Sequence, residues 1–159
     1  MIRLATREDV NDIQDLLHET WKDTYGDYVS QKTLDEVYKN WQSIEFLTKQ
    51  IQNPNVYFPV LVEHDQIVGL ATARTIENVV ILFRLYVSPI HQRKGIGKPL
   101  LDSVEQHFSG AKKIQLHVEI FNQKGQAFYK KSGFKEMKRE QEKVGDETIN
   151  QILMEREMR

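Results

Sequence analysis

The sequence predicts an α/β fold, and three observations support this class. Apolar residues recur at helical spacing through the first third of the chain, strand-like runs rich in Val, Ile and Leu follow, and the centre runs strand, glycine-rich loop, helix, strand, helix. A chain of 159 residues is long enough to bury a substantial core. Because no Ser/Gly-rich linker, repeat or low-complexity tract divides it, we expect residues 1–159 to form one domain.

A short strand followed by helices is expected in the N-terminal part. Met1–Ala5 is short and partly apolar, and Thr6 with Asp9 has the pattern of a helix N-cap and its partner. Gly26 is expected to end the first helix, and Asn53-Pro54-Asn55 to end the helical region. The apolar positions that carry the three helical patterns are Val10, Ile13, Leu16, Leu17 and Trp21, then Leu34, Val37 and Tyr38, then Ile44, Phe46, Leu47 and Ile51.

Strand patterns and turn residues alternate through the rest of the chain, with two helices between them. His64-Asp65-Gln66 and Gly145-Asp146 have the composition of hairpin turns, and Gly133 that of a left-handed helix stop. The expected strands are 56–62, 67–74, 78–87, 114–120, 134–144 and 148–155. The expected helices are the stretch that follows Gly97, with Leu100, Leu101, Val104 and Phe108 on one face, and residues 122–132.

Composition and charge exclude several classes of protein. The formal net charge is -1, so no overall positive field favours nucleic acid or an anionic membrane. The chain has no cysteine, which excludes disulfides, cysteine nucleophiles and thiolate metal sites. The N-terminus lacks the apolar stretch of a signal peptide, and no later run is long enough to span a bilayer. We therefore expect a cytoplasmic protein with no nucleic-acid, membrane or metal partner.

The most informative segment is the strand, loop and helix start between Leu85 and Leu100. Gly95 and Gly97 allow unusual backbone angles and a close approach to the main chain. The first amides of a helix have no internal partner, and the positive end of the helix dipole lies at the same place. The expected guest is an anion, particularly a diphosphate. Positive charge is added around this position by Arg93, Lys94 and Lys98.

Two common phosphate-binding loops are excluded by their spacing. A P-loop would need Gly where the chain has Gln92 and Ser or Thr where it has Pro99. A dinucleotide-binding fingerprint would need a third Gly at Leu100. The remaining alternative is that Gly95 and Gly97 only form a tight turn, which would not explain why three cations and a Gln gather at a helix start.

The pattern Gln-x-x-Gly-x-Gly after Val-x-Pro resembles the coenzyme A signature of the GNAT acetyltransferases. A second match lies downstream, where Asn122, Tyr129 and Gly133-Phe134 have the spacing seen in that family. The resemblance implies the GNAT fold, in which a central mixed, mostly antiparallel twisted sheet of about seven strands is flanked by about four helices and splayed between its two middle strands. It also implies transfer of an acetyl group from acetyl-CoA to a primary amine by direct attack in a ternary complex, without a metal. Members of the family are often homodimers.

The resemblance further implies which residues bind acetyl-CoA. Main-chain groups of Leu85 and Val87 would pair with the pantetheine arm, an amide near Val87 would meet the thioester carbonyl, and amides from Gln92 to Lys98 would hold the diphosphate. A simple helix N-cap is the alternative for Asn122. The full implied set is Leu85, Tyr86, Val87, Gln92, Arg93, Lys94, Gly95, Ile96, Gly97, Lys98, Asn122 and Tyr129.

Tyr129 and His117 are the candidate catalytic residues. In the family, the Tyr that corresponds to Tyr129 gives its proton to the departing coenzyme sulfur. A phenol has an ordinary pKa of about 10, so it is protonated at neutral pH before the reaction begins. Many relatives carry a Glu base at the position of Phe83, which is missing here, whereas ribosomal-protein acetyltransferases carry one at the position of His117. An imidazole there could accept the amine proton, with Glu119 on the same strand face. The alternatives are that Tyr129 and His117 only pack, and that a water chain serves as base.

The acceptor is expected to meet the helices that follow the first strand. Carboxylates attract ammonium groups and aromatic faces hold them by cation–π contact, and Trp21, Tyr25 and Tyr28 are the candidate binding residues; an amphipathic helix with a solvated acidic face is the alternative. Three segments resemble PaiA-type polyamine acetyltransferases, namely Thr20-Trp21-x-x-Thr24-Tyr25, the run 128–134 and the ending 145–154. This resemblance implies spermidine or spermine as the amine. The competing functions are protein N-terminal or lysine acetylation, and a non-catalytic coenzyme A-binding sensor.

Overall fold

The computed structural model describes residues 1–92 and 94–159. Arg93, one of the residues expected at the coenzyme site, lies outside the described residues. The strands are β1 (Ile2–Leu4), β2 (Pro59–Glu63), β3 (Gln66–Ile76), β4 (Val79–Val87), β5 (Lys113–Glu119), β6 (Lys135–Val144) and β7 (Glu147–Glu157). The α-helices are α1 (Val10–Tyr25), α2 (Gln31–Trp41), α3 (Ile44–Gln52), α4 (Gly97–His107) and α5 (Gln123–Lys131).

The strands form one sheet of seven in the order β1-β2-β3-β4-β5-β7-β6. All neighbours are antiparallel except β4 and β5, which are parallel. The predicted mixed, mostly antiparallel sheet is therefore confirmed. The described residues contain five α-helices rather than about four. The two short N-terminal patterns form separate helices because Ser30 and Ser43 each begin a new one by accepting a hydrogen bond from a main-chain amide, that of Thr33 and of Phe46 respectively, at 3.1 Å.

Turn residues explain most of the strand boundaries. His64 and Asp65 have φ of 49° and 61°, as a two-residue hairpin turn requires, and Gly133 ends α5 with φ of 94°. An unexpected second hairpin turn at Glu77-Asn78, with φ of 51° and 67°, lets β3 extend to Ile76. β2 begins at Pro59 rather than at residue 56.

Helices cover both faces of the sheet. On one face, Ile13 and Leu17 of α1 and Leu47 of α3 pack against Leu70, and α2 packs over the β6–β7 end. On the other face, apolar side chains of α4 pack against the central strands, and Phe134 joins the same cluster. Alternate residues of β4 and β5 therefore point to opposite helix layers. None of the described helices is both long enough and apolar enough to cross a bilayer.

The two middle strands separate along their length. β4 pairs with β5 only from Val79 to Ile81, opposite 113–115. Beyond that point β4 stays bonded to β3 as far as Val87, and β5 stays bonded to β7 as far as Glu119. Phe83 is an extra residue in β4 where the β3–β4 register shifts. The predicted splay is confirmed, and it leaves a gap between the C-terminal halves of β4 and β5.

Candidate active site

A cavity of about 1710 Å³ fills the gap between β4 and β5 and is lined from both faces of the sheet. The α4 and α5 layer lines it on one side, and the α1 and α2 layer lines it on the other. Tyr86 and Glu119, from the two separated strands, stand on the α1 side, whereas Leu85 and Val87 pack toward α4. A ligand on the α4 side can therefore reach a second ligand on the α1 side through the sheet.

The loop before α4 has two glycines with different structural roles. Gly95 has φ of 74°, a conformation that L side chains rarely adopt. Gly97 instead lies in the first turn of α4, and a Cβ added there would lie 3.1 Å from the ring of Phe128. The expectation of unusual backbone angles thus holds for Gly95, whereas Gly97 is required by the close approach of an aromatic ring from α5.

The loop before α4 and the start of that helix present amide groups for which the described residues provide no acceptor. In the part of the chain that the structure describes, no protein oxygen accepts a hydrogen bond from the main-chain N–H of Gly95, Gly97 or Lys98. Pro99 lies in the first turn, where the missing N–H costs no helical hydrogen bond. These amides and the positive end of the helix dipole make this corner of the cavity suitable for an anion. The ammonium of Lys98 is 2.7 Å from the carboxylate of Asp102, which offsets part of its charge.

Gln92 makes a contact that its sequence position did not suggest. Its side-chain amide donates to the main-chain oxygen of Val87 at 3.2 Å, so it ties the loop back to the end of β4. The amide of Ser88 donates to the oxygen of Val68 at 2.8 Å and anchors the same corner to β3. The loop is therefore held on the α4 side of the gap by its own hydrogen bonds. Of the other predicted coenzyme residues, Leu85, Tyr86, Gly95, Ile96, Gly97 and Lys98 line the cavity, whereas Lys94 does not.

Tyr129 lies on the cavity wall in α5. Its ring packs edge-on against Phe128 and Phe134, with centroids 5.2 and 5.5 Å away. Within the described residues its hydroxyl has no hydrogen-bond partner, and it faces the cavity. Burial raises the pKa of Tyr129 well above that of a free phenol, and the nearby Tyr86 and Glu119 raise it further. The phenol is therefore protonated throughout the physiological range.

Asn122 caps α5. Its side-chain oxygen accepts the amide of Gly125 at 3.0 Å, which is the N-cap geometry considered for it as an alternative. A Cβ at Gly125 would lie 2.6 Å from the side-chain nitrogen of Asn122. Glycine at 125 thus allows Asn122 to fold back over the helix start while the residue still lines the cavity.

His117 lies at the rim of the cavity on β5. Its side chain is 42% exposed, and its Nε2 is 2.7 Å from a carboxylate oxygen of Glu140 on β6. Lys138 approaches the other oxygen of Glu140 at 2.8 Å. Phe83, where many relatives carry the base, is exposed beneath the guanidinium of Arg74, 5.9 Å from the ring centroid. Neither position puts a carboxylate inside the gap.

A cluster of aromatic side chains bridges the two separated strands from α1. The indole N–H of Trp21 donates to the Tyr86 hydroxyl at 3.2 Å, and the Tyr25 hydroxyl donates to Glu119 at 2.9 Å. The Trp21 and Tyr25 rings lie 4.1 Å apart. Burial raises the pKa of Tyr86 to about 12, and burial also raises the pKa of Tyr25.

The cluster brings together the predicted acceptor residues Trp21 and Tyr25. Tyr28 stacks on Phe121 with centroids 4.3 Å apart and planes 6° from parallel, and Phe121 in turn meets the edge of Tyr25. No sequence pattern indicated Phe121, and Glu119 was indicated only by the strand alternation that put it on the His117 face.

Charge is divided between the two sides of the cavity. The α4 and α5 side carries mostly cations, which are Lys98, Lys124, Lys131, Arg156 and Arg159, with the carboxylate of Asp102 among them. The α1 and α2 side carries mostly carboxylates, which are Asp23, Asp27, Glu119, Glu140 and Glu142, with Arg84 and His117 among them. One side therefore suits a polyanion and the other a cation.

Known proteins share this architecture. Residues 24–156 match the family model described as the acetyltransferase (GNAT) domain. The chain belongs to the GNAT acetyltransferases. It is 30% identical over 140 residues to spermidine N(1)-acetyltransferase of Thermoplasma acidophilum, which covers 84% of this chain and 87% of that protein. The family predicted from the coenzyme signature, and the PaiA-type resemblance within it, are thus confirmed.

Solved structures agree with this assignment. The crystal structure of PaiA N-acetyltransferase from Thermoplasma acidophilum in complex with coenzyme A has a TM-score of 0.86 and 28% identity, and covers 99% of this chain and 98% of that chain. The ribosomal-protein-S18-alanine N-acetyltransferase of Escherichia coli shares the fold, with a TM-score of 0.76 and 17% identity over 99% of this chain and 93% of that one. This GNAT chain is an acetyl-CoA-dependent N-acetyltransferase that acts on an amine.

Proposed function

We propose that this acetyltransferase acts on a linear polyamine such as spermidine or spermine. The observation that carries the proposal is the acceptor side of the cavity, where carboxylates stand beside stacked aromatic rings. Tyr28 and Phe121 offer ring faces to an alkylammonium chain, and Asp23 and Asp27 lie on the same wall. Cation–π contacts and carboxylates both stabilise a polycation. Support also comes from similarity to a spermidine N(1)-acetyltransferase.

Acetyl-CoA would lie on the cationic side of the gap. The free amides of Gly95, Gly97 and Lys98 would hold its diphosphate, which fits the absence of a protein acceptor for them in the described part of the chain. Leu85 and Val87 would pair with the pantetheine arm through their main chains, because β5 has moved away from this half of β4. The thioester would then lie within the gap, reachable from the acceptor side.

Tyr129 would act as the general acid. The amine nitrogen attacks the thioester carbonyl, the C–S bond breaks, and the sulfur takes the phenolic proton. The cavity-facing hydroxyl and its raised pKa support this role, because the proton is present at every physiological pH. Asn122 would support the site through α5, whose first turn it caps.

A panel of amines tests the acceptor proposal. Thiol release from acetyl-CoA is measured with spermidine, spermine, putrescine, an aminoglycoside and an alanine-terminated peptide. We expect kcat/KM for the best polyamine to exceed that for the peptide about 100-fold, since two ammonium contacts of about 1.4 kcal/mol each would supply that difference. Mass spectrometry should find one acetyl group on the polyamine. Equal or better turnover of the peptide would contradict the proposal.

A peptide N-terminus is the second candidate acceptor, and Arg84 favours it. This side chain lines the acceptor side of the cavity and donates to the main-chain oxygen of Trp41 at 2.7 Å and to Gln50. Within the described residues no carboxylate lies within salt-bridge distance of it, and burial lowers its pKa. Such a donor fits a peptide carbonyl better than an ammonium. If the peptide is the acceptor, Arg84→Met should raise the KM for peptide and leave that for spermidine unchanged.

A further inference from the structure

We propose that Glu119, oriented by the Tyr25 hydroxyl, receives the ammonium end of the acceptor inside the gap and takes the proton that the amine must lose. The inference rests on amine acetylation at this site, but not on which amine is acetylated. Many relatives carry a carboxylate base at the position of Phe83, and this chain does not. The proposal therefore assigns the role of proton acceptor to a different residue of the site.

Glu119 has the position that such a group needs. It is the last residue of β5, beyond the point where β4 and β5 part, and its side chain lines the cavity. The Tyr25 hydroxyl donates to one carboxylate oxygen at 2.9 Å, and Tyr25 is itself only 3% exposed. Because the phenol is buried in the α1 layer, it holds the carboxylate in one orientation toward the gap. His117, two residues earlier on the same strand face, is more exposed and already paired with Glu140.

Glu119 has no cationic partner of its own. Among the described residues, no Lys, Arg or His nitrogen lies within salt-bridge distance of its carboxylate. Glu140 on β6, by contrast, has cationic partners within that distance. A partly buried carboxylate without a counterion is unfavourable unless a cation arrives. The ammonium group of an acceptor would supply that cation. A purely structural carboxylate would be expected to carry a built-in partner.

The surroundings of Glu119 favour proton uptake. The titratable groups that face it are Tyr25 from α1, Tyr86 from β4, His117 from β5, Glu142 from β6 and Tyr129 from α5. Burial raises the pKa of Glu119, and the Glu142 carboxylate raises it further, whereas hydrogen bonds from its own main-chain amide and from Tyr25, together with the nearby His117, lower it. Glu119 is thus a stronger base than an exposed glutamate, and Tyr25 moderates that strength.

The protons balance with Glu119 and Tyr129 in these two roles. The acceptor enters as an ammonium and gives one proton to the Glu119 carboxylate, which leaves a neutral amine. The nitrogen attacks the thioester carbonyl, the N–C bond forms, and the C–S bond breaks as Tyr129 protonates the sulfur. The second nitrogen proton returns to the Tyr129 phenolate. Glu119 then releases its proton to water, so the net reaction yields an amide, a thiol and one proton.

Three variants test the assignment, each assayed with the best amine from the panel. Glu119→Gln keeps an acceptor for the Tyr25 hydroxyl but cannot take a proton, so we expect kcat/KM to fall about 100-fold or more. The acidic limb of the kcat/KM–pH profile should disappear, while acetyl-CoA affinity by calorimetry and the thermal midpoint stay unchanged. Glu119→Asp should recover part of the activity. Glu157→Gln, on an exposed carboxylate outside the cavity, is the matched control.

Tyr25→Phe gives a readout that packing alone would not give. It removes the hydrogen bond that lowers the pKa of Glu119. The acidic limb should therefore move to higher pH, with a smaller loss of turnover than in Glu119→Gln.

The proposal is overturned if Glu119→Gln retains the wild-type acidic limb, or if His117→Gln removes that limb while Glu119→Gln keeps it. The amine panel measured on the wild-type protein tests the polyamine proposal independently. The comparison of kcat/KM between each variant and wild type uses whichever amine is acetylated best, so it does not depend on that amine being a polyamine.

Discussion

Gly97 at the start of α4 lies directly against the ring of Phe128 in α5, so that a Cβ at position 97 would be 3.1 Å from the ring. This contact brings the free amides of one helix beside the helix that carries Tyr129. The proposed diphosphate site and the proposed site of proton transfer to sulfur are thus joined through two residues. A change at Gly97 should affect both.

Gly97→Asp should weaken acetyl-CoA binding. The new side chain must displace Phe128, and its carboxylate would face the diphosphate, so we expect Kd to rise about tenfold or more, the effect of about 1.4 kcal/mol. Calorimetric titration measures the change. Gly110→Asp is the matched control, because a Cβ there meets no atom within 4 Å. Wild-type affinity in Gly97→Asp would contradict the assigned diphosphate site.

Tyr129→Phe should lower kcat and leave acetyl-CoA affinity unchanged. Loss of a general acid typically costs about 100-fold or more, and the ring packing against Phe128 and Phe134 is retained. Because the pKa of Tyr129 is raised, wild-type activity should show no alkaline loss at the ordinary phenol pKa of about 10. Tyr38→Phe, which removes a 3.3 Å hydrogen bond outside the cavity, is the control. Unchanged kcat across the pH range would remove the role given to Tyr129.

Tyr28→Ala should raise the KM for spermidine with little change in kcat. Tyr28, which stacks on Phe121, is exposed. The loss should therefore be about 0.5–1 kcal/mol, or roughly threefold to fivefold. Tyr28→Phe keeps the ring and should restore the wild-type KM. Steady-state kinetics at fixed ionic strength distinguishes the two. A KM in Tyr28→Ala equal to that of wild type would show that this pair does not hold the acceptor.

Asp9→Asn should destabilise the fold and change its pH dependence. Asp9 accepts the Thr6 amide at 2.8 Å and pairs with Arg3 at 2.7 Å. An Asn at this position can still accept the Thr6 amide but loses the charged pair with Arg3, which costs about 1 kcal/mol. The Arg3 hydrogen bonds lower the pKa of Asp9. Its stabilisation is therefore complete above the unfolded-state pKa of about 3.9 and is lost as the pH falls through the folded-state value.

Urea unfolding between pH 2 and pH 7 checks this prediction. The wild type and Asp9→Asn should differ at neutral pH and converge in acid. Asp146→Asn, in an exposed pair with Lys32, should match the wild type throughout. A difference for Asp9→Asn that stays constant down to pH 2 would contradict the pKa argument.

Local patterns predicted the fold well. Strand alternation, helical spacing and the turn residues His64-Asp65 and Gly133 predicted nearly every element. The gap in the sheet was predicted from the family resemblance. That resemblance could be detected because the signature of the loop before α4 lies within one short stretch of sequence. Glu77-Asn78 was missed as a turn because Glu is uncommon at positive φ, although Asn adopts it more readily.

The acceptor side was less predictable, because it is assembled from distant segments. Glu119 and Tyr25 are 94 positions apart and meet only after α1 packs across the separated strands. Phe121 gains a role only through its stack on Tyr28. From the sequence, Gly97 was singled out for backbone freedom and close approach of a ligand, whereas its contact with Phe128 was not predictable because it depends on how α5 packs on α4.

The most direct test of the account is a calorimetric comparison of coenzyme A with pantetheine on the wild-type protein. Pantetheine keeps the arm that would lie along β4 but lacks the diphosphate that the amides of Gly95, Gly97 and Lys98 would hold, together with the phosphorylated adenosine attached to it. We expect pantetheine to bind at least about 100-fold more weakly, a loss of about 2.7 kcal/mol for several hydrogen bonds to a charged group. Equal affinities for the two ligands would contradict the assignment of the α4 amides as the coenzyme site.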